Sequence, residues 1–458
     1  MKAVLKLFIA LVAIALPIEA LANADFLSRY EQNKLPKIKP PHVSMQVLDN
    51  GMRLYLLEDH TIPVIKVGAI IRTGSLFDPP QKVGLASLAS SLMRSGGVGS
   101  MSPESFDKAL DDLGASLSTA VSHEMGIASL EILSEDMQEG LSLFFKMLFE
   151  PQFNKKRLNI ARQKILESLI RQDDDPQMLA DYRFRQLVYG KQSPWARRPS
   201  KATLSIIDEE DIKQFHKNFF KADNIILIAS GDFKYDNFLD AVSKLTANAP
   251  TGKVIFPNVA PVALEFEPKE ERIIRPLTQA FIRMGHLSIK RHNPDKFALF
   301  LADDILGASG FKSRLIEDVR VRRGMAYSIW SSVMPETDYG LFSIGVNTRA
   351  SNANNVIEIV KRHLKRMAVD GDVTDEEMDF AKQSILRRLI FQFDMPYKVV
   401  NQEATFYFYG YPKDYWKIYR DKIAASTLAD VNRAAAKYFK PDDLEILIVG
   451  PRSVTSNQ

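Results

Sequence analysis

The chain of 458 residues contains no cysteine. It therefore needs no oxidative folding, has no thiolate to act as nucleophile or zinc ligand, and is excluded from carrying a lipoprotein anchor, which requires a cysteine. A surplus of one charge is missing too. Lys and Arg number 60 and Asp and Glu 56, leaving a formal net charge of +4 that is well mixed along the chain. That balance gives no argument for nucleic acid. Histidine is sparse. The seven are His42, His60, His123, His216, His286, His292 and His363, and no two sit at i, i+4 with a Glu between them. Long apolar runs are absent apart from LFIALVAIAL at 7–16, which follows Lys2 and Lys6 and precedes Ala20, Ala22 and Ala24. A basic start, a short apolar stretch and an A-x-A site read as a secretory signal over 1–24, with cleavage after Ala22 or Ala24. A retained membrane anchor is the alternative, although the run is short for a bilayer. An exported chain without cysteine reads most simply as periplasmic, with secretion as the other outcome.

What is present suffices for a real core: 46% of residues are hydrophobic and 25% charged. The length suggests two domains or more. The chain also repeats itself. NFFKADNIILIASGD at 218–232 matches KYFKPDDLEILIVGP at 437–451, and an offset of 219 pairs Phe220 with Phe439, Asp223 with Asp442 and Gly231 with Gly450. Each copy is a helix end, a turn and an apolar run suited to a buried strand. GIASLEILS (126–134) pairs with GLFSIGVNT (340–348), GASLSTAVS (114–122) with GMAYSIWSS (324–332), and the helix at 83–95 falls opposite 297–309. Two duplicated units follow, at 25–246 and 263–458, joined by a Pro- and Gly-bearing linker at 247–262. Helices are expected at 103–113, 135–149, 154–172, 176–190, 208–219, 353–369, 374–393, 398–409 and 427–438. Strands in blocks with clustered helices favour an α+β class, each unit a mainly antiparallel sheet flanked by helices.

Inside VGLASLASSLMRSGG (83–97), Ser87, Ser90 and Ser91 share one helix face at i, i+3 and i+4. A core helix would put Leu or Ala there. The blocks at 48–97 and 306–330, the stretch DPQMLADYRFRQLVYGKQSPWARRPS at 175–200 and the repeated FFKADNIILIASGD ending together resemble the insulinase, pitrilysin and mitochondrial processing peptidase family of inverzincin metallopeptidases. The resemblance covers nearly the whole mature chain. It implies two α+β halves that form half of a clam-like chamber. It also implies a helix bearing H-x-x-E-H, whose two His bind zinc and whose Glu activates water. Aligned on that motif, the His positions hold Ser87 and Ser91 and the Glu position holds Ser90. The third ligand, a Glu on a later helix, maps to Ser168, and a further acidic position maps to Ala161. Glu167 is one residue off, which turns it about 100° round the helix. A neutral hydroxyl is a poor zinc ligand and no base near pH 7. A serine nucleophile on this helix would need a base and an orienting group that the sequence does not point to.

The second half retains what the first has lost. The family's R-x-x-x-G-L-A-Y pattern stands as Arg320, Gly324, Met325, Ala326 and Tyr327. The resemblance implies that Arg320 and Tyr327 reach toward the zinc site of a facing subunit, gripping substrate and donating to its carbonyl oxygen. The structural alternative puts Arg320 in a surface ion pair and Tyr327 in the core. GASGFKSRL (307–315) is a shortened form of the family's Gly-rich segment and reads as a helix–turn–helix junction. GASLSTAVSHE (114–124) reads either as an edge to which a peptide adds or as an ordinary paired strand. His123 and Glu124 are expected on that strand, and each histidine is expected to be solvated or hydrogen-bonded. The expectation is a non-catalytic partner subunit of a heterodimeric periplasmic zinc endopeptidase, inactive alone. Its partners are a homologous H-x-x-E-H subunit, which carries the zinc, and a peptide substrate. Neither metal nor cofactor is expected in this chain. The alternatives are a peptide-binding or scaffold protein without peptidase role, and a peptidase with a relocated metal.

Overall fold

Two sheets are built in turn, each from a strand run whose apolar residues sit on both faces. The computed structural model describes residues 40–264 and 268–452; the expected signal at 1–24 lies outside them. The first half lays down β1 (Ser44–Val47), β2 (Arg53–Glu58), β3 (Val64–Arg72), α1 (Leu85–Ser95), α2 (Pro103–Asp112), β4 (Ser116–Val121), β5 (Met125–Leu133), α3 (Met137–Phe149), α4 (Lys155–Asp174), α5 (Pro176–Tyr189), α6 (Lys201–Ser205), α7 (Glu209–Phe219), β6 (Ile225–Gly231) and α8 (Tyr235–Leu245). The second follows with β7 (Glu270–Ile274), β8 (Gln279–Leu287), α9 (Lys296–Asp303), β9 (Ala326–Met334), β10 (Leu341–Arg349), α10 (Ala353–Lys365), α11 (Asp375–Arg388), α12 (Pro396–Phe408), α13 (Tyr415–Ala425), α14 (Leu428–Tyr438) and β11 (Glu445–Gly450).

The sheet orders are β1-β2-β6-β3-β5-β4 and β7-β11-β8-β10-β9. Without β1 they are the same topology. In both, one pair is parallel, β2 with β6 and β7 with β11, and the rest are antiparallel. The class is α+β with mainly antiparallel sheets, as expected. The repeated apolar runs are the inner strands β6 and β11, buried on both faces, which is why they lack alternation. Local signals set the helix starts. Asp208, Thr374 and Thr427 each close a capping box at the N-terminus of α7, α11 and α14, and Asp175 caps α5 ahead of Pro176.

Each half has its own core, between one face of its sheet and its helices. The opposite faces are covered by exchange. α5 leaves the first half and packs Leu179, Ala180, Phe184 and Val188 with Leu447 and Val449 of β11. α12 leaves the second half and packs Val399, Val400, Ala404 and Phe408 with Tyr55, Ile70 and Ile228. The fit under α12 is close: a Cβ on Gly68 of β3 would stand 2.4 Å from the Tyr397 hydroxyl. Polar contacts cross with the helices. Arg183 pairs with Glu271 and Arg283 with Asp181, and Arg72 donates to Phe408 O at 2.9 Å. Residues 247–262 hold no helix or strand, but they are tied down. Ala222 N donates to Pro250 O at 2.7 Å and Val262 N to Asp338 Oδ2 at 2.8 Å.

Most expected helices match within two residues at each end. Two end differently: the run at 353–369 turns π-helical at Arg366–Asp370, and that at 374–393 becomes 3-10 at Leu389–Gln392. His123 and Glu124 are not on a strand. They form the turn between β4 and β5, because β4 ends at Val121.

Candidate functional site

α1 presents two faces. Leu85, Ala86, Leu88, Ala89, Leu92 and Met93 are buried, while Ser87, Ser90 and Ser91 are half-buried on the other side. The helix is held in place by backbone contacts. Asp78 accepts from Gly84 N at 2.8 Å and Ala86 N at 2.9 Å, which satisfies the helix N-terminus. Burial nevertheless raises its carboxyl to about 6, against those N–H groups and the Arg197 charge. Thr119 of β4 donates to Ser90 O at 2.8 Å. α4 packs against α1 and carries Ser168, which accepts from Gln172 at 3.4 Å. Ala161 is in the core. Glu167 points away, exposed and 3.9 Å from Arg171.

Ser87 lines a small cavity with Asp78, His123 and Arg197. The His123 ring stacks on Trp195 at 5.9 Å; burial, aided by the Arg185 charge, lowers its pKa to about 4. The donor set does not fit zinc: one imidazole stands beside one carboxylate whose oxygens are engaged by a helix terminus. Among the described residues no group of three His, Asp or Glu side chains is placed to hold a metal ion. The other histidines have local partners or face solvent. His216 bonds Leu148 O, His286 Leu287 O, His292 Tyr409 O, His60 Asp232 and His363 Asp318; His42 is exposed.

Arg320 and Tyr327 stand on the second half's outer edge. The Gly-rich segment is a helix–turn–helix junction, from a π-helical turn at Asp304–Ala308 to another at Ile316–Arg322. Arg320 lies on the second, exposed. Among the described residues it has no carboxylate within ion-pair distance, and its guanidinium sits 5.4 Å from the ring of Phe311, itself 66% exposed. Tyr327 is 80% exposed. The cause is a register shift: Asn347 stands opposite Ser328 and Thr348 opposite Ala326, which leaves Tyr327 as the extra residue of a bulge. The two residues are thus in neither an ion pair nor the core. β9 and β4 are edge strands, each hydrogen-bonded to one neighbour. Phe311 escaped the sequence reading, although an aromatic within the polar turn GFKSR was the available signal.

Comparison with known proteins agrees with this architecture. The insulinase (peptidase family M16) model matches residues 53–193, and the peptidase M16 inactive domain model matches 207–385. A non-peptidase homologue from Helicobacter pylori is 24% identical over 396 residues, 86% of this chain and 90% of that protein. An uncharacterised zinc protease from Bacillus subtilis is 22% identical over 337 residues, 73% of this chain and 81% of that one. Two crystal structures share the fold. A peptidase M16 inactive domain from Pseudomonas fluorescens has a TM-score of 0.80 at 24% identity, covering 90% of this chain and 98% of that one. A protease from Helicobacter pylori also has a TM-score of 0.80, at 17% identity, covering 90% and 100%. The chain belongs to peptidase family M16, the insulinase family.

Proposed function

We propose that this protein is the non-catalytic subunit of a heterodimeric periplasmic zinc endopeptidase. The observation that carries the reading is the contrast between an α1 with no metal ligand and a second half with Tyr327 lifted out on a bulge of its edge strand and an exposed Arg320 that has no ion-pair partner among the described residues. In the complex the partner chain carries H-x-x-E-H, its zinc and the water it activates. This chain supplies half of the peptide-binding chamber. The Arg320 guanidinium grips substrate carbonyls or a carboxylate in a planar fork. The Tyr327 hydroxyl donates to the scissile carbonyl oxygen as charge gathers on it. The sequence of the first 24 residues supports export.

The test is a peptidase assay of this chain, of the partner and of their mixture. Activity in the mixture well above that of either chain alone is expected. A neighbouring reading frame of similar length with intact H-x-x-E-H identifies the partner. The second reading is a scaffold or peptide-binding protein without peptidase role, favoured by the Helicobacter pylori relative's description as a non-peptidase homologue. Binding of a partner without any gain in cleavage would select it. Stoichiometric zinc in the purified chain alone would overturn both.

A further inference from the structure

The second half contains a cavity of about 580 Å³, the size of a small-molecule site. The duplication locates it. Thr119 of β4 stands opposite Ala128, and Ser331 of β9 opposite Ile344. Ala128 and Ile344 are the same distance from the ends of β5 and β10. Each hydroxyl reaches one carbonyl of the helix beside it: Thr119 that of Ser90 at 2.8 Å, Ser331 that of Asp303 at 3.4 Å. Asp303 is therefore the counterpart of Ser90, Asp304 of Ser91 and Phe300 of Ser87. α4 and α11 begin equally far ahead of α5 and α12, and Ser168 and Arg388 are each the fourteenth residue of their helix. All four counterparts line the cavity. In the second half the four equivalent positions open onto one cavity.

Most of its charged groups are already engaged. Asp303, raised to about 6 by burial, accepts from Ser331 Oγ at 2.5 Å and Val333 N at 2.9 Å. Asp304 holds Arg388 through Oδ1. Arg291 reaches Glu336 at 3.1 Å and Glu124 at 3.5 Å. Lys296 is the exception. It is 5% exposed, and among the described residues no carboxylate lies within ion-pair distance of it. Its Nζ donates to Arg291 O at 3.1 Å and to the Tyr411 hydroxyl at 3.2 Å, which leaves one of three protons unused. The rings of Tyr411 and Tyr415, 4.4 and 4.9 Å away, favour its charge. Burial and the Arg291 charge lower its pKa to about 8, so it is an ammonium at neutral pH. A buried cation without a counter-ion is costly. The walls around it are aromatic: Phe300, Phe406, Tyr409, Trp416 and Tyr419. Asp304 Oδ2, buried and without a hydrogen-bond partner among the described residues, is a second handle, an acceptor for a ligand N–H or O–H.

We propose that this cavity binds an apolar or aromatic molecule through its carboxylate, with Lys296 as the counter-ion. Two sources share that chemistry, a free aromatic acid and the C-terminus of a peptide ending in an apolar residue. Calorimetric titration of the full chain tests it with phenylacetate against phenylacetamide, and with a short peptide ending in Phe as acid against amide. At least one acid is expected to bind, with its amide about tenfold weaker or more. Binding of the free acid alone assigns small acids, and binding of the peptide alone assigns C-termini. Lys296→Met should bring the acid down to the affinity of its amide. Should that variant fail to fold, Ala308→Trp, on the exposed part of the wall, keeps Lys296 and should abolish binding by filling the space. Equal affinity for acid and amide, no binding of any acid, or wild-type binding by both variants would overturn the proposal.

Discussion

The two halves share one topology and differ at equivalent positions. In the first, Ser87, Ser90 and Ser91 line up along α1, and Ser168 sits on α4, which packs against that helix. In the second, Phe300, Asp303, Asp304 and Arg388 occupy those places around a cavity. Small hydroxyls on a helix face avoid burying an unpaired charge. The other half places bulky and charged residues there, beside a π-helical turn at Asp304–Ala308. Topology here fixes where a site can be, and the side chains decide whether it is closed, open or charged.

The comparison can be broken most severely at the helix exchange. Phe184 on α5 and Phe408 on α12 are 2% and 5% exposed, each against the other half's sheet. Replacing either with Ala should cost about 3–5 kcal/mol, read as a lower urea midpoint, and the two losses should be similar. A negligible loss at one would mean the exchange holds the halves together from one side only. Next in size are the exposed edge residues. Tyr327→Phe and Arg320→Ala should each lower the activity of the mixed subunits about 10²-fold, with assembly by size-exclusion chromatography unchanged. If both variants cleave like wild type, the complementing role is wrong.

A pH experiment compares buried histidines, His216 in the first half and His286 in the second. Burial lowers both to about 4. The unfolded histidine binds its proton near pH 6.5 and the folded one only near 4, so stability falls as pH drops through that window. His216 alone should cost about 2 kcal/mol between pH 7 and pH 5. His216→Asn, though less stable overall, should lose that much less on acidification; an unchanged pH slope would contradict the assignment. The smallest effect belongs to the serine face of α1. Ser87, Ser90 and Ser91 replaced singly by Ala should each change stability by about 0.5 kcal/mol or less and leave the mixture's activity intact. A large loss of cleavage in any one would give these serines a role that the account denies them.

Much of this was legible in the sequence. The repeated runs around Phe220 and Phe439 marked β6 and β11, and capping residues marked the helix starts. Ser87, Ser90 and Ser91 could be placed on one face from spacing alone. The exchange of α5 and α12 was not legible, because an amphipathic stripe shows that a helix is covered and not by which sheet. The exposure of Tyr327 depends on a one-residue register shift against β10 that periodicity does not reveal. His123 was misplaced because its strand stops two residues earlier. The second-half cavity was hidden because Asp303 and Asp304 sit in an otherwise apolar helix, FALFLADDIL, and only the Thr119 and Ser331 contacts align it with α1.

The most direct test of the partner-subunit account is peptidase activity of purified chains, measured singly and mixed in equal amounts with the H-x-x-E-H homologue encoded nearest to this chain. The account predicts no cleavage by this chain, little by the homologue, and a large gain on mixing that Tyr327→Phe removes. Full activity of the homologue alone, unchanged by this chain, would contradict it.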